Sequence, residues 1–130
     1  MADGFGVVVS AGSLRSDDEH AVRFPHLWTP EGVTVEADFT GAHLLHLAAA
    51  GCVLNDLYRE AAGLGITLDG VRVTASGGFD SGNWTSTGVG YSVTLDSAAS
   101  AADLDRLLDV VDEVAEIPRA LRASVAVRRV

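Results

Sequence analysis

The segment from Ala42 to about Gly63 constrains this chain more than any other. Its first half carries Leu44, Leu45, Leu47, Ala48, Ala49, Ala50, Val53 and Leu54, so a helix here is apolar nearly all round and needs cover on every side. Asn55, Asp56, Arg59 and Glu60 make the second half amphipathic, and Gly63 and Gly65 suit a C-terminal cap. The only cysteine, Cys52, falls in the middle of this helix. A lone thiol excludes an intramolecular disulfide framework, a four-cysteine zinc site and a self-contained dithiol cycle. Two readings stay open: a small buried core residue, or a single nucleophile or redox centre.

Strand-like segments surround the helix. Val7 to Ser10 and Ala21 to Leu27 read as strands, and the alternation of Val33, Val35, Ala37 and Phe39 with Thr34, Glu36 and Asp38 reads as a third with one wet face. These three are expected to form an antiparallel meander. After the helix, Val71 to Ser76 and a strand ending in Val89 to Leu95 are expected to pair as a hairpin with a long tip around Gly77, Gly78 and Gly82. Ser100 with Asp103 marks a helix start close to a capping box, Leu104, Leu107, Leu108, Val111 and Val114 follow at helical spacing, and Pro118 ends or kinks that helix. Ala123 to Val130 reads as a last strand. The order βββ-α-ββ-α-β predicts one α+β domain over residues 1–130, with antiparallel sheets around a buried central helix.

Composition narrows the function classes. A chain of 130 residues with 48% hydrophobic content is long enough for a real core. No apolar run reaches the roughly 18 residues of a membrane span. The net charge is −9, with nine arginines and no lysine, a surface that repels phosphate backbones, so neither nucleic acid nor membrane is an expected partner. The N-terminus carries Asp3 and no basic cluster, which makes a cytoplasmic location the expectation.

Several residues are candidates for chemistry, each with a plainer alternative. His43 and His46 share a helix face, but as metal ligands they lack an obvious third partner, so no metal is assigned; Asp38 or His26 would have to be brought by the fold. The alternative is a pair of partly buried, hydrogen-bonded histidines. Asp56 lies one turn after Cys52, where a carboxylate raises a thiol pKa unless an arginine intervenes; Arg59, three residues on, is spaced to pair with it. Trp28, Phe24, Trp84 and Tyr91 are candidates for an apolar pocket or for core. Gly88-Val89-Gly90 is no phosphate loop, since it lacks the lysine and the following helix.

The stretch Ala42-His43-Leu44-Leu45-His46-Leu47-Ala48-Ala49-Ala50-Gly51-Cys52 resembles the leader of the central helix in the OsmC/Ohr superfamily, where the thiol follows a PE-x-L-x-x-A-x-x-x-x-C pattern. Gly65 to Val73 resembles that family's helix-to-strand join, and Ile117-Pro118 resembles its CP motif. The resemblance implies an intertwined homodimer with two sites at the subunit interface. It also implies reduction of organic hydroperoxides by a reactive cysteine, a resolving cysteine, an arginine and a glutamate. Cys52 matches the reactive position, and Arg15 lies roughly where the family keeps its arginine after the first strand. Ile117 replaces the resolving cysteine and Ala42 the glutamate, so the two-cysteine cycle cannot run inside this chain.

Two functions follow as expectations. In the first, Cys52 is the nucleophile of a thiol-dependent hydroperoxide reductase with no cofactor. Arg15 or Arg23 then stabilises the thiolate, and an external thiol resolves the sulfenic acid. In the second, a non-catalytic OsmC-like homodimer binds a small apolar ligand at its interface, with His43, His46, Asp56 and Trp28 as the lining candidates.

Overall fold

The computed structural model describes residues 4–130; Asp3 lies outside them. The element order is β1 (Val7–Gly12), β2 (Val22–Phe24), β3 (Val33–Glu36), α1 (Gly41–Leu64), β4 (Gly70–Phe79), β5 (Ser86–Asp96), α2 (Ala101–Val114), α3 (Glu116–Leu121) and β6 (Val127–Arg129). All six strands form one sheet in the order β2-β3-β1-β4-β5-β6. Every pair is antiparallel except the last, β5 with β6. The α+β order expected from sequence is therefore present, as a single sheet with the helices over one face and one additional short helix.

The meander is not formed. β1 pairs with β3 and β4, and β2 pairs only with β3. Burial explains the order. Val33, Thr34 and Val35 are buried and need neighbours on both sides, whereas all three residues of β2 are exposed and suit an edge. β2 also stops earlier than expected, at Phe24, because Pro25 has no N–H to continue the ladder. Gly77 and Gly78 belong to β4, with a register shift between Gly77 and Phe79, so the hairpin tip is only residues 80–85.

Local signals place α1. The Thr40 side chain accepts from the His43 N–H at the start, and Gly65 ends the helix with φ 71°, a left-handed conformation glycine adopts without a Cβ penalty. Ala49, Ala50, Val53, Leu54, Leu57 and Ala61 pack on Val7, Val9, Ala11, Val71, Val73 and Ala75 of the sheet. Each fully buried Val or Leu contributes about 1.5–3 kcal/mol, so this face, rather than helix propensity, holds α1. The first half of α1 is not covered all round within one chain: Leu44 is 40% exposed and Ala48 is open to solvent.

The opposite flank of α1 meets α2 and α3. Ser100 caps α2 by accepting from the Asp103 N–H, and Leu107 and Val111 are its buried contacts. α2 ends at Val114, Ala115 turns the chain, and Pro118 sits in the first turn of α3, where its missing N–H costs little. Arg122 then bonds the Asp112 carboxylate at 3.0 Å and the Val127 carbonyl at 3.0 Å, while the buried Tyr91 hydroxyl donates to the same Asp112. That network fixes α2, α3 and β6 together, and so fixes where α3 meets α1.

Candidate functional site

Cys52 is half-buried on the flank of α1 that faces α3. Its sulfur accepts from the Ile117 N–H at 3.5 Å and lies 3.9 Å from Asp56 Oδ2 and 4.0 Å from Glu116 Oε2. Asp56 is one helical turn along α1, and its side chain is 0% exposed. Arg59, a further three residues on, reaches Asp56 Oδ2, Glu60 Oε2 and Glu116 Oε1, each at 3.1 Å. Asn55 Nδ2 donates to the second oxygen of Asp56 at 3.2 Å. The spacing 52, 56, 59, 60 is that of one helix stripe, and α3 brings Glu116 and Ile117 onto it.

The electrostatics favour the neutral thiol. Burial pushes the Cys52 pKa up, and the Asp56 and Glu116 carboxylates push the same way, while the Ile117 N–H opposes them. Burial also lifts the Asp56 carboxyl above the usual carboxylate range, with Glu116 adding to it and with Asn55 and Arg59 pulling back. Ligand atoms of Cys52, Asp56 and Glu116 all lie within 4.8 Å of one another, but the neutral thiol and the cation already on the acids do not make a metal site of them. The guanidinium of Arg59 already occupies both carboxylates from the other side.

The remaining candidates fall elsewhere. Arg15 donates from Nε to the Gly12 carbonyl at 3.1 Å and pairs with Glu31 at 3.3 Å, and Arg23 stands opposite Thr34 on the edge strand. Neither bonds to the Cys52 sulfur, whose partners are Asp56, Glu116 and Ile117. Trp28 is 39% exposed in the β2–β3 connection. His43 and His46 face the sheet side, away from the thiol. His43 Nδ1 meets Thr40 Oγ1 at 2.7 Å, and its Nε2 lies 4.0 Å from Asp38. His46 is fully buried and donates from Nδ1 to the Ala42 carbonyl at 2.7 Å. Its ring stacks on Phe5 and meets the edge of Phe79, and burial holds its pKa below the ordinary value. Its Nε2 has no bonding partner among the described residues and occupies the space that a Cβ on Gly77 would need, 2.6 Å away.

Glu116 is the site residue that sequence reasoning missed, although it directly precedes the Ile117-Pro118 pair. A motif position expected near the thiol carries its neighbours there too, and that adjacency was the available signal.

A single long helix laid across a six-stranded sheet, with one cysteine on its outer flank opposite an Ile-Pro segment, defines an α+β protein with a thiol at a helix–helix junction. Residues 34–128 match the family model described as OsmC-like protein, and the chain belongs to that family. The fold is similar to an OsmC-like protein from Mycoplasma pneumoniae, with TM-score 0.65 and 14% identity over 88% of this chain and 96% of that one. It is also similar to an organic hydroperoxide resistance protein OsmC from Legionella pneumophila, with TM-score 0.61 and 18% identity over 72% and 69%. The organic hydroperoxide resistance protein OhrB of Bacillus subtilis gives TM-score 0.55 and 18% identity over 72% and 70%. No curated protein sequence matches this chain. Among the described residues no helix is long and apolar enough to cross a membrane.

Proposed function

We propose that this OsmC-like protein reduces organic hydroperoxides with Cys52 as its single nucleophile and an external thiol as the resolving partner. One observation carries the reading: the segment that matches the family's second cysteine motif sits on the Cys52 sulfur, through the Ile117 N–H at 3.5 Å. Residue 117, which resembles the family's second cysteine position, lies beside the thiol and is an isoleucine. Attack by Cys52 on the peroxide yields a sulfenic acid and an alcohol. A small thiol or dithiol then condenses with the sulfenic acid and a second thiol equivalent returns Cys52 to the reduced state. Arg59, through Asp56 and Glu116, is the cation nearest this chemistry; Arg15 and Arg23 enter it only if a second subunit or a rearrangement brings them there.

The working unit in this reading is a homodimer. Val22, Phe24, Trp28 and Leu44 are 53%, 48%, 39% and 40% exposed. Val22 and Phe24 stand opposite the buried Val35 and Val33, so they share the sheet face that carries α1. A second copy supplies the cover that the first half of α1 lacks.

A non-catalytic family member is the second reading, because burial and two carboxylates push the Cys52 thiol toward its neutral form. Turnover of cumene hydroperoxide with excess dithiol separates the two. Turnover that is lost in Cys52→Ser supports the reductase. No turnover at any pH rejects it.

A further inference from the structure

The Cys52 site holds a buried acid, Asp56, that is paired with Arg59 and Asn55 and also faces the thiol. Asp56 presents Oδ2 to two groups at once: the sulfur at 3.9 Å and the Arg59 guanidinium at 3.1 Å. Its side chain is 0% exposed, so water does not compete for the thiol proton there. Glu116 lies at a similar distance from the sulfur but is 63% exposed. We infer that Asp56 is the proton carrier of the Cys52 reaction, taking the thiol proton as sulfur attacks and returning it to the departing alcohol. This rests on the reading of Cys52 as a hydroperoxide-reducing nucleophile.

The step balances within the site. The Cys52 S–H bond breaks and its proton passes to Asp56 Oδ2. The sulfur lone pair forms an S–O bond to the terminal oxygen of R–O–O–H while the O–O bond breaks, which oxidises sulfur by two electrons. The R–O⁻ left behind takes the proton from Asp56 and departs as ROH, leaving Cys52 as a sulfenic acid and Asp56 as a carboxylate. The charge within the pocket stays constant throughout, which matters where desolvation penalises any added charge. The groups facing Asp56 are Cys52, Asn55 and Arg59 on α1 and Glu116 on α3. Arg59 keeps the acid aimed, and the Ile117 N–H supports the anionic sulfur as it forms.

The test compares two reagents on the whole protein. Iodoacetamide needs thiolate and releases an anion that takes no proton, whereas cumene hydroperoxide releases an alkoxide that does. With Asp56 as carrier, wild-type sulfenic acid formation stays nearly flat between about pH 6 and 8, while alkylation rises about tenfold per unit. In Asp56→Asn the peroxide reaction at neutral pH falls about 10²-fold and becomes parallel to alkylation. Alkylation itself shifts to lower pH in that variant, because an anion beside the thiol is gone. Wild-type peroxide and alkylation rates that rise together overturn the proton carrier but leave the nucleophile standing. An Asp56→Asn variant that reacts with peroxide at least as fast as wild type at neutral pH does the same. No sulfenic acid at any pH overturns both.

Discussion

The backbone N–H of Ile117 meets the sulfur of Cys52 at 3.5 Å, across 65 positions of chain. Residue 117 therefore lies within reach of the thiol, and its side chain is 37% exposed. Ile117→Cys is expected to form an intramolecular disulfide with Cys52 on oxidation by an organic hydroperoxide. Intact-mass measurement under non-reducing conditions checks this, with the loss of two hydrogens relative to the reduced variant. A variant in which Cys52 is oxidised to the sulfenic acid while the introduced cysteine at position 117 stays a free thiol would contradict the placement of α3.

Asp56 gives the fold a pH dependence of defined sign. Its carboxyl titrates above the usual range in the native state, so the native protein holds this proton over a window where the unfolded chain has lost it. The corresponding stability is fully present below the unfolded value of about 3.9 and is lost as pH rises through the native value. Urea unfolding of wild type and Asp56→Asn across acidic pH is expected to show this falling component in the wild type only.

Cys52 adds a second component at the alkaline end. The native thiol pKa lies above its ordinary value, so stability is full below the unfolded value of about 8.5 and is lost as pH rises through the native one. Cys52→Ser removes this alkaline slope. Thermal midpoints of the two proteins measured from neutral pH upward are expected to converge as pH rises.

Gly77 is required for a steric reason. A Cβ there meets His46 Nε2 at 2.6 Å and collides with the Gly88 carbonyl across the hairpin. A backbone carbonyl cannot rotate away, so Gly77→Ala is expected to destabilise by about 1–3 kcal/mol, read as a shift of the urea midpoint. Rescue by a smaller residue at 46 is expected to be partial, since only one of the two contacts is relieved.

If the exposed apolar surface is covered by a second copy, Phe24→Glu and Leu44→Glu place charges inside that contact. Light scattering is expected to report a dimer for the wild type and a monomer for the double variant. A wild type that stays monomeric at micromolar concentration would leave α1 without its cover and contradict the homodimer.

What was legible in the sequence follows the range of the interaction. Thr40 and Gly65 bound α1 through contacts of three or four residues, and Ser100 starts α2 in the same way, so those elements sit where the pattern predicts. The pairing of Asp56 with Arg59 was equally local. Pairing of β1 with β3 rather than β2 depends on which strand can bury both edges, a property of the finished sheet. The arrival of Glu116 depends on a turn at Ala115 and on Arg122 anchoring α3 to Asp112, which no spacing along the chain encodes. Arg15 stood out through the family resemblance and Arg59 through its spacing to Asp56, and only the arrival of α3 makes Arg59 the cation beside the site.

The position of β1 has a kinetic consequence. The first strand of the chain lies third in the sheet, and its second edge is filled by β4, some 60 residues later. Closing a loop of that length comes late, because its entropy must be met before the pairing rewards it. As the chain leaves the ribosome, residues 7–12 expose an unsatisfied apolar edge until residue 70 and beyond have emerged. The N-terminal third therefore cannot mature alone, and the protein's exposure to aggregation is greatest before its thiol helix has a sheet to rest on.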